Sequence, residues 1–142
     1  MRTFLDTNVL VYLFDHGAPK KRDTARGILM SHGAELELVL STQVLQEFYV
    51  AVTRKLARPL SPEYAERAVR DLARLPVVPA SVDLVLAAVA LSRRAGFSFW
   101  DAMIVEAALR SGAQELLSED LQDGREIEGM QIRNPFGTVR AR

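Results

Sequence analysis

Four acids in this chain occupy positions that a fold alone does not require. Asp6 ends a short apolar run, where a buried strand would give way to a helix, and the carboxyl edge of a parallel sheet is where ligands usually bind. It is equally suited to capping that helix. Glu47 lies one turn from Val44 and Ala51 and beside Phe48, so it interrupts an apolar stripe; a stem packed on the stripe with its head in water is the competing account. Asp101 shares a helical face with Ile104, Val105 and Ala108, a face expected to point inward, although Ser98-Phe99-Trp100-Asp101 also has the spacing of a capping box with a shortened acid. Asp120 follows Leu117 and Ser118 in a loop that also holds Glu119, Asp123 and Gly124. A solvated acidic turn would look the same, and spacing leaves open whether Asp120 or Asp123 faces inward.

Brought to one sheet edge, four carboxylates with no lysine or histidine among them would repel one another, and a buried charge without compensation is costly. One or two hard divalent cations, Mg²⁺ or Mn²⁺, with water completing the shell, are the natural counter-ions for such an oxygen set. Ions so held activate water and support in-line displacement at phosphorus. The chemistry implied is metal-assisted hydrolysis of a phosphodiester, with no covalent enzyme intermediate.

The elements that would carry these acids can be read from periodicity and caps. Thr3 to Leu5 reads as a buried strand, Asn8 to Phe14 as a helix, and Pro19 to Met30 as a second helix with proline in its first turn. Leu36 to Leu40 reads as a strand. From Thr42 to Lys55, Val44, Leu45, Phe48, Ala51 and Val52 recur at helical spacing. Ser61-Pro62-Glu63 starts a helix that runs toward Pro76, and Val77 and Val78 form a short strand. Ser81 caps a helix to Arg94 closed by Gly96, and Ser98 caps another to Ser111 closed by Gly112. Glu115 to Leu117 is a strand, Glu119 to Gly129 a polar loop, and Met130 to Ile132 a last strand. Short strands alternating with helices predict an α/β fold, a parallel sheet sandwiched by helices in three layers. Residues 1–136 read as one domain and 137–142 as a loose tail, with no repeat or linker dividing the chain.

Composition narrows the rest. A chain of 142 residues, 49% hydrophobic, is large enough for one core. The absence of cysteine removes disulfides, thiolate zinc sites and a cysteine nucleophile, and His16 and His32 are too few for a histidine cage. The apolar stretch Phe4 to Phe14 lacks the layout of a signal peptide, and Val82 to Leu91 is too short to span a bilayer, so a cytoplasmic protein without a membrane segment is expected. Formal net charge is zero, so no global field announces a nucleic-acid partner. Basic residues cluster locally at Lys20, Lys21, Arg22 and Arg26, at Arg54, Lys55 and Arg58, and at Arg67, Arg70 and Arg74, each readable as a solvated helix face.

The ordered set Phe4-Leu5-Asp6-Thr7-Asn8-Val9-Leu10, Gln46-Glu47-Phe48, Phe99-Trp100-Asp101-Ala102-Met103-Ile104 and Leu117-Ser118-Glu119-Asp120-Leu121-Gln122-Asp123-Gly124 resembles the PIN domains, in particular the VapC-type toxins of bacterial toxin–antitoxin pairs. The resemblance extends over nearly the whole chain, to Ile132-Arg133-Asn134-Pro135-Phe136. It implies metal-ligand or metal-water roles for Asp6, Glu47, Asp101 and Asp120, with Asp123 as the alternative fourth acid, and makes Asn8 and Ser118 polar helpers. It further implies an RNA substrate, hydrolysis to a 5′-phosphate and a 3′-hydroxyl, a small inhibitory antitoxin as partner, and a homodimer. Lys20, Lys21 and Arg22 are then the first candidates to hold the RNA backbone.

Three rival readings compete with this one. A phosphoacceptor receiver domain needs an Asp at the end of a middle strand, but those strands end in Leu40-Ser41 and Val78-Pro79, and no lysine follows Lys55. A phosphatase with an aspartyl nucleophile needs a second Asp two residues after the first, where Asn8 stands. A PIN-like module that binds RNA or protein without chemistry is the remaining alternative, and the presence of all four acids argues against it.

Overall fold

The computed structural model describes residues 1–137, so the expected loose tail falls, from residue 138 onward, outside the described residues. Its centre is β1 (Arg2–Leu5), in which Thr3, Phe4 and Leu5 are all inaccessible to solvent. Burial on both faces is the mark of an inner strand of a parallel sheet. β2 (Glu37–Ser41) and β4 (Glu115–Leu117) flank it, both parallel to it. With β3 (Val77–Val78), β5 (Glu126–Ile127) and β6 (Met130–Arg133), the order across the sheet is β3-β2-β1-β4-β6-β5, and β5 alone of these strands is antiparallel.

The connections are helical: α1 (Thr7–Val11), a 3₁₀ turn at Tyr12–Phe14 and α2 (Pro19–Met30) lead to β2; α3 (Thr42–Arg54) and α4 (Pro62–Leu72) lead to β3; α5 (Val82–Ala95) and α6 (Phe99–Arg110) lead to β4. Right-handed crossovers place the first two connections, which step in one direction across the sheet, on one face, and the third, which steps back, on the other. The packing agrees, since α1 lies on α3 and α3 on α4, while α5 lies on α6. The result is the expected α/β sandwich.

Local chemistry sets the helix starts. Ser41, Ser61, Ser81 and Ser98 each accept a hydrogen bond from the backbone N–H three residues on, the arrangement of a side-chain N-cap, and each such cap contributes about 1 kcal/mol. α5 ends on Gly96 in the left-handed region at φ 79°, a conformation that glycine adopts without steric cost.

Two expectations need correction. The helix expected over Asn8 to Phe14 is α-helical only to Val11 and then tightens into the 3₁₀ turn, because Asp15 is extended and its carboxylate accepts from the Gly17 N–H, turning the chain away. The polar loop expected from Glu119 to Gly129 contains β5, hairpinned onto β6 with Ile127 opposite Met130. Glu128 and Gly129 both have positive φ, 49° and 88°, which is the geometry of a two-residue hairpin turn of the primed type. Glutamate is an unusual first residue for that turn, so its sequence carries little hairpin signal.

Candidate active site at the carboxyl edge of the sheet

The chain runs β1 to β2 to β3 on one side and then returns to β4 on the other side of β1. The strand order therefore reverses between β1 and β4, and open α/β sheets bind ligands at the carboxyl ends of strands at such a point. Here the Asp6 N–H donates to the Leu117 carbonyl at 3.0 Å, which sets Asp6 beside Ser118, Glu119 and Asp120.

Asp6 caps α1 and is also bonded to the loop after β4. Its Oδ1 accepts from the Thr7 N–H at 2.7 Å at the start of α1, while Oδ2 accepts from the Ser118 hydroxyl at 2.8 Å and from the Asn8 amide at 3.4 Å. It is buried, with 7% of its surface accessible. Burial pushes its carboxyl up to about 6; the bonds from Ser118 and Thr7 act downward, and the nearby charges of Glu47 and Asp120 add to the rise.

Asn8 connects Asp6 to the acidic loop. Its amide donates to Asp120 Oδ2 at 3.2 Å, and its carbonyl oxygen accepts from the Glu119 N–H at 3.0 Å. Ser118 is fully buried and its oxygen accepts from the N–H groups of Asp120 and Leu121, which fixes the turn. Asp123 points elsewhere: it accepts from the Asn134 N–H at 2.9 Å, beyond the end of β6. Asp120, exposed and lining the cleft, is thus the acid of this loop that stands next to Asp6 and Asn8.

Glu47 and Asp101 are exposed, not buried as their helical faces suggest. In α3 the buried residues are Gln43, Val44, Phe48 and Val52, so Glu47 sits at the edge of the stripe that faces α1. Its two oxygens are held separately, Oε1 by the Thr7 hydroxyl at 2.8 Å and Oε2 by the Gln43 amide at 3.1 Å. Gln43 also donates to the Trp100 carbonyl at 3.2 Å, tying α3 to the first turn of α6. Asp101 is the next residue. The burial of α6 begins at Ala102, one position too late to enclose it. Half of the capping box is present, because the Asp101 N–H donates to the Ser98 hydroxyl, but among the described residues the Asp101 carboxylate does not bond back. Its oxygens stay open to solvent.

The three basic residues expected to meet RNA differ in circumstance. Lys20 is exposed, Lys21 is bound to Glu119 and to Tyr12, and Arg22 donates to His16 Nδ1 at 2.9 Å. A cleft of about 590 Å³ adjoins the acids, lined by Thr7, Asn8, Glu47 and Asp120 at one end and reaching Lys55. Sequence reasoning passed over Thr7, Gln43 and Lys55 as site residues. The signals for the first two were local, Thr7 standing between Asp6 and Asn8 and Gln43 one turn before Glu47, whereas Lys55 stands in a basic cluster with Arg54 and Arg58 that reads equally as a solvated helix face.

Among the described residues, no three acids converge closely enough to enclose a metal ion by themselves. The donor set nevertheless fits a small hard cation. It consists of oxygens only, its most buried member is held above the usual carboxylate range by burial and by its acidic neighbours, and Mg²⁺ is commonly bound through one or two carboxylates with water as the remaining ligands. Asp6 and Asp120, joined through Asn8, would hold it, and Glu47 is the further acid whose charge acts on Asp6, whereas Asp101 is tied to this group through the bond from Gln43 to the Trp100 carbonyl.

Comparison with known proteins shows the fold and the family. No curated protein sequence matches the chain. Among solved structures, a toxin–antitoxin complex from Klebsiella pneumoniae has a chain of the same fold, with a TM-score of 0.69 at 22% identity over 94% of this chain and 97% of that one. VapC20 of Mycobacterium tuberculosis, described as a toxin that cleaves the sarcin–ricin loop, gives a TM-score of 0.63 at 21% identity over 80% of this chain and 86% of that one. VapBC2 of Rickettsia felis, bound to a DNA fragment from its promoter, gives 0.65 at 20% identity over 94% and 98%. At such identities the likeness is one of fold. The PIN domain pattern itself matches residues 3–122, which span all four acids, and on that match the chain belongs to the PIN domain family.

Proposed function

We propose that this protein is a metal-dependent endoribonuclease that hydrolyses RNA phosphodiester bonds, and that it serves as the toxin of a toxin–antitoxin pair. The observation that carries the reading is the hydrogen-bonded set Asp6, Asn8, Ser118 and Asp120 at the reversal of strand order, joined through Thr7 to Glu47 and through Gln43 to the turn that bears Asp101. Membership of the PIN domain family and the fold shared with the M. tuberculosis toxin and with a chain of the K. pneumoniae toxin–antitoxin complex support it.

Each residue then has a defined task. Ser118 and the Thr7 N–H orient the two oxygens of Asp6, so the carboxylate is set before any ligand arrives. Asn8 sets Asp120 against it, and Thr7 and Gln43 hold Glu47 at the cleft wall. A bound Mg²⁺ or Mn²⁺ supplies an activated water and offsets charge on the phosphate oxygens. The acids would provide the negative charge that draws the cation in, with Asp101 exposed to solvent and Glu47 held by Thr7 and Gln43.

An antitoxin that silences the enzyme and association with a second copy of the chain belong to the same proposal. No helix among the described residues is long and apolar enough to cross a membrane. The deciding experiment is cleavage of a mixed RNA pool by the purified protein with Mg²⁺, with Mn²⁺ and with a chelator. Cleavage in the first two and none in the third, lost in Asp6→Asn and Asp101→Asn, is expected. A protein that cuts no RNA with either metal is a PIN-like binding module instead.

A further inference from the structure

The turn that leads into Asp101 and the loop that bears Asp120 are both irregular segments. Gly96 to Ser98 joins α5 to α6 in three residues, and among the described residues none of the three is bonded through its backbone to a strand. The loop is better held. It hangs from β6 at both ends, the Ser118 N–H on the Arg133 carbonyl and the Gly124 N–H on the Ile132 carbonyl. Arg125, where the loop ends, reaches across to the turn. Its Nη2 donates to the Ala95 carbonyl at 2.8 Å, 30 residues away in the chain, and its guanidinium carbon stands 4.3 Å from the centre of the Phe97 ring.

We propose that Arg125 is a positioning residue for the carboxylate site: by gripping Ala95 and Phe97 it fixes the turn before Asp101 against the loop of Asp120, so that the two acids keep one spacing. The proposal rests on the nuclease reading and extends it to a residue that does not line the cleft. Three observations carry it. Ala95 ends α5, so its carbonyl lies at the negative end of that helix, and Phe97 packs against the core, which makes its ring a fixed platform for a cation. A planar guanidinium meets carbonyl and ring together. Among the described residues Arg125 forms no ion pair, so this turn is where its charge is directed; the Arg94–Glu128 pair joins the same helix end to the β5–β6 hairpin, but it is exposed and screened by water. The turn is also held from its other end. There the Gln43 amide donates to the Trp100 carbonyl, so the approach to Asp101 is tied both to α3, which carries Glu47, and to the loop that carries Asp120.

The test uses the full chain with Mn²⁺ as probe, its binding read from loss of the free ion's spin-resonance signal and from quenching of Trp100, the one tryptophan of the chain and the neighbour of Asp101. Neither readout needs cleavage. Arg125→Ala should weaken Mn²⁺ binding about ten-fold and alter the quenching, and in RNA cleavage it should lower kcat about ten-fold or more with KM within about two-fold. Arg125→Lys should recover most of both losses, and Phe97→Leu, a milder change, should reproduce part of them in a folded protein. Arg94→Ala should match wild type. Because Arg125 acts through Asp101, Asp101→Asn with Arg125→Ala should bind Mn²⁺ no more weakly than Asp101→Asn alone. A full further loss in that double variant, or an Arg125→Ala protein that melts lower yet keeps wild-type Mn²⁺ affinity, quenching and kcat, overturns the positioning role and leaves the nuclease reading intact. A wild-type protein that binds Mn²⁺ but cuts no RNA, with the affinity still lost in Arg125→Ala, supports the positioning role and removes the nuclease reading. A wild-type protein that binds no Mn²⁺ removes both.

Discussion

The Lys21 ammonium is bound to the Glu119 carboxylate, across 98 residues of sequence, beside the acid loop of the site. The Tyr12 hydroxyl donates to the other oxygen of Glu119, and the Tyr12 ring packs edge-on against Phe136 at 4.8 Å with Lys21 over its face. Glu119 is thereby held from α2 and from the 3₁₀ turn, while its N–H is held by Asn8. Burial would raise the Glu119 carboxyl, but the bonds from Lys21 and Tyr12 overcome it and leave the group ionised. The pair therefore anchors the residue that precedes Asp120.

Lys21→Met is accordingly expected to lower kcat about five- to ten-fold with KM nearly unchanged, because it loosens the seat of Asp120 while leaving the grip on RNA intact. Glu119→Gln should behave alike, and the double variant should lose little more than either single one. Stability should fall by about 1 kcal/mol or less, since the lysine is partly exposed. Steady-state cleavage of one oligonucleotide checks this; a rise in KM alone would instead place Lys21 on the RNA.

Asp120 and Asp123 should separate cleanly. Asp120→Asn is expected to reduce turnover by about a hundred-fold or more with the melting temperature retained or raised, as removal of a charge beside Asp6 implies. Asp123→Asn is expected to keep turnover within a few-fold and, because it retains an acceptor for the Asn134 N–H, to change stability little, whereas Asp123→Ala should lower stability by about 1 kcal/mol. Comparing kcat and thermal melting for the two variants decides which acid belongs to the chemistry.

Asp6 makes stability depend on pH in a stated direction. Its folded carboxyl titrates at about 6, above the ordinary 3.8, so between these values the native state holds more protons than the unfolded chain. Without divalent metal, stability should fall as pH rises through that window and level off above it, a loss of about 3 kcal/mol at most. Asp6→Asn removes this contribution, keeps an acceptor for the Thr7 N–H, and should melt higher than wild type at pH 7.5 but not at pH 4. Melting in chelator at both pH values measures it, and a lower melting temperature for the variant at pH 7.5 would contradict the assignment.

Glu47→Gln and Asp101→Asn should each cost turnover by orders of magnitude with little change in stability, because both carboxylates are exposed and neither supports the core. Activity should disappear in chelator and return with Mg²⁺ or Mn²⁺, in wild type alone. Near-normal cleavage by either variant would remove that acid from the site.

Much of the fold and the site was legible in the residues because the interactions concerned are local. Ser61, Ser81 and Ser98 announce helices whose first N–H groups they bind three residues away. Asp6 declares itself by ending an apolar run, and there it both caps α1 and enters the site. Other features had no local trace. That Glu47 lines the cleft and that Asp101 stands in solvent depend on where the packing of α3 and α6 begins relative to the sheet edge. The separation of Asp120 from Asp123 depends on the register of β6, which brings Asn134 to Asp123, and the short strand β5 exists only by pairing with β6. Lys21, one of a run of basic residues in sequence, meets Glu119 only because α2 is folded against the loop after β4. Residue types and short-range hydrogen bonds determine which groups are present and where helices start; long-range strand order and packing decide which of those groups meet, because such pairings join residues whose separation along the chain carries no signal.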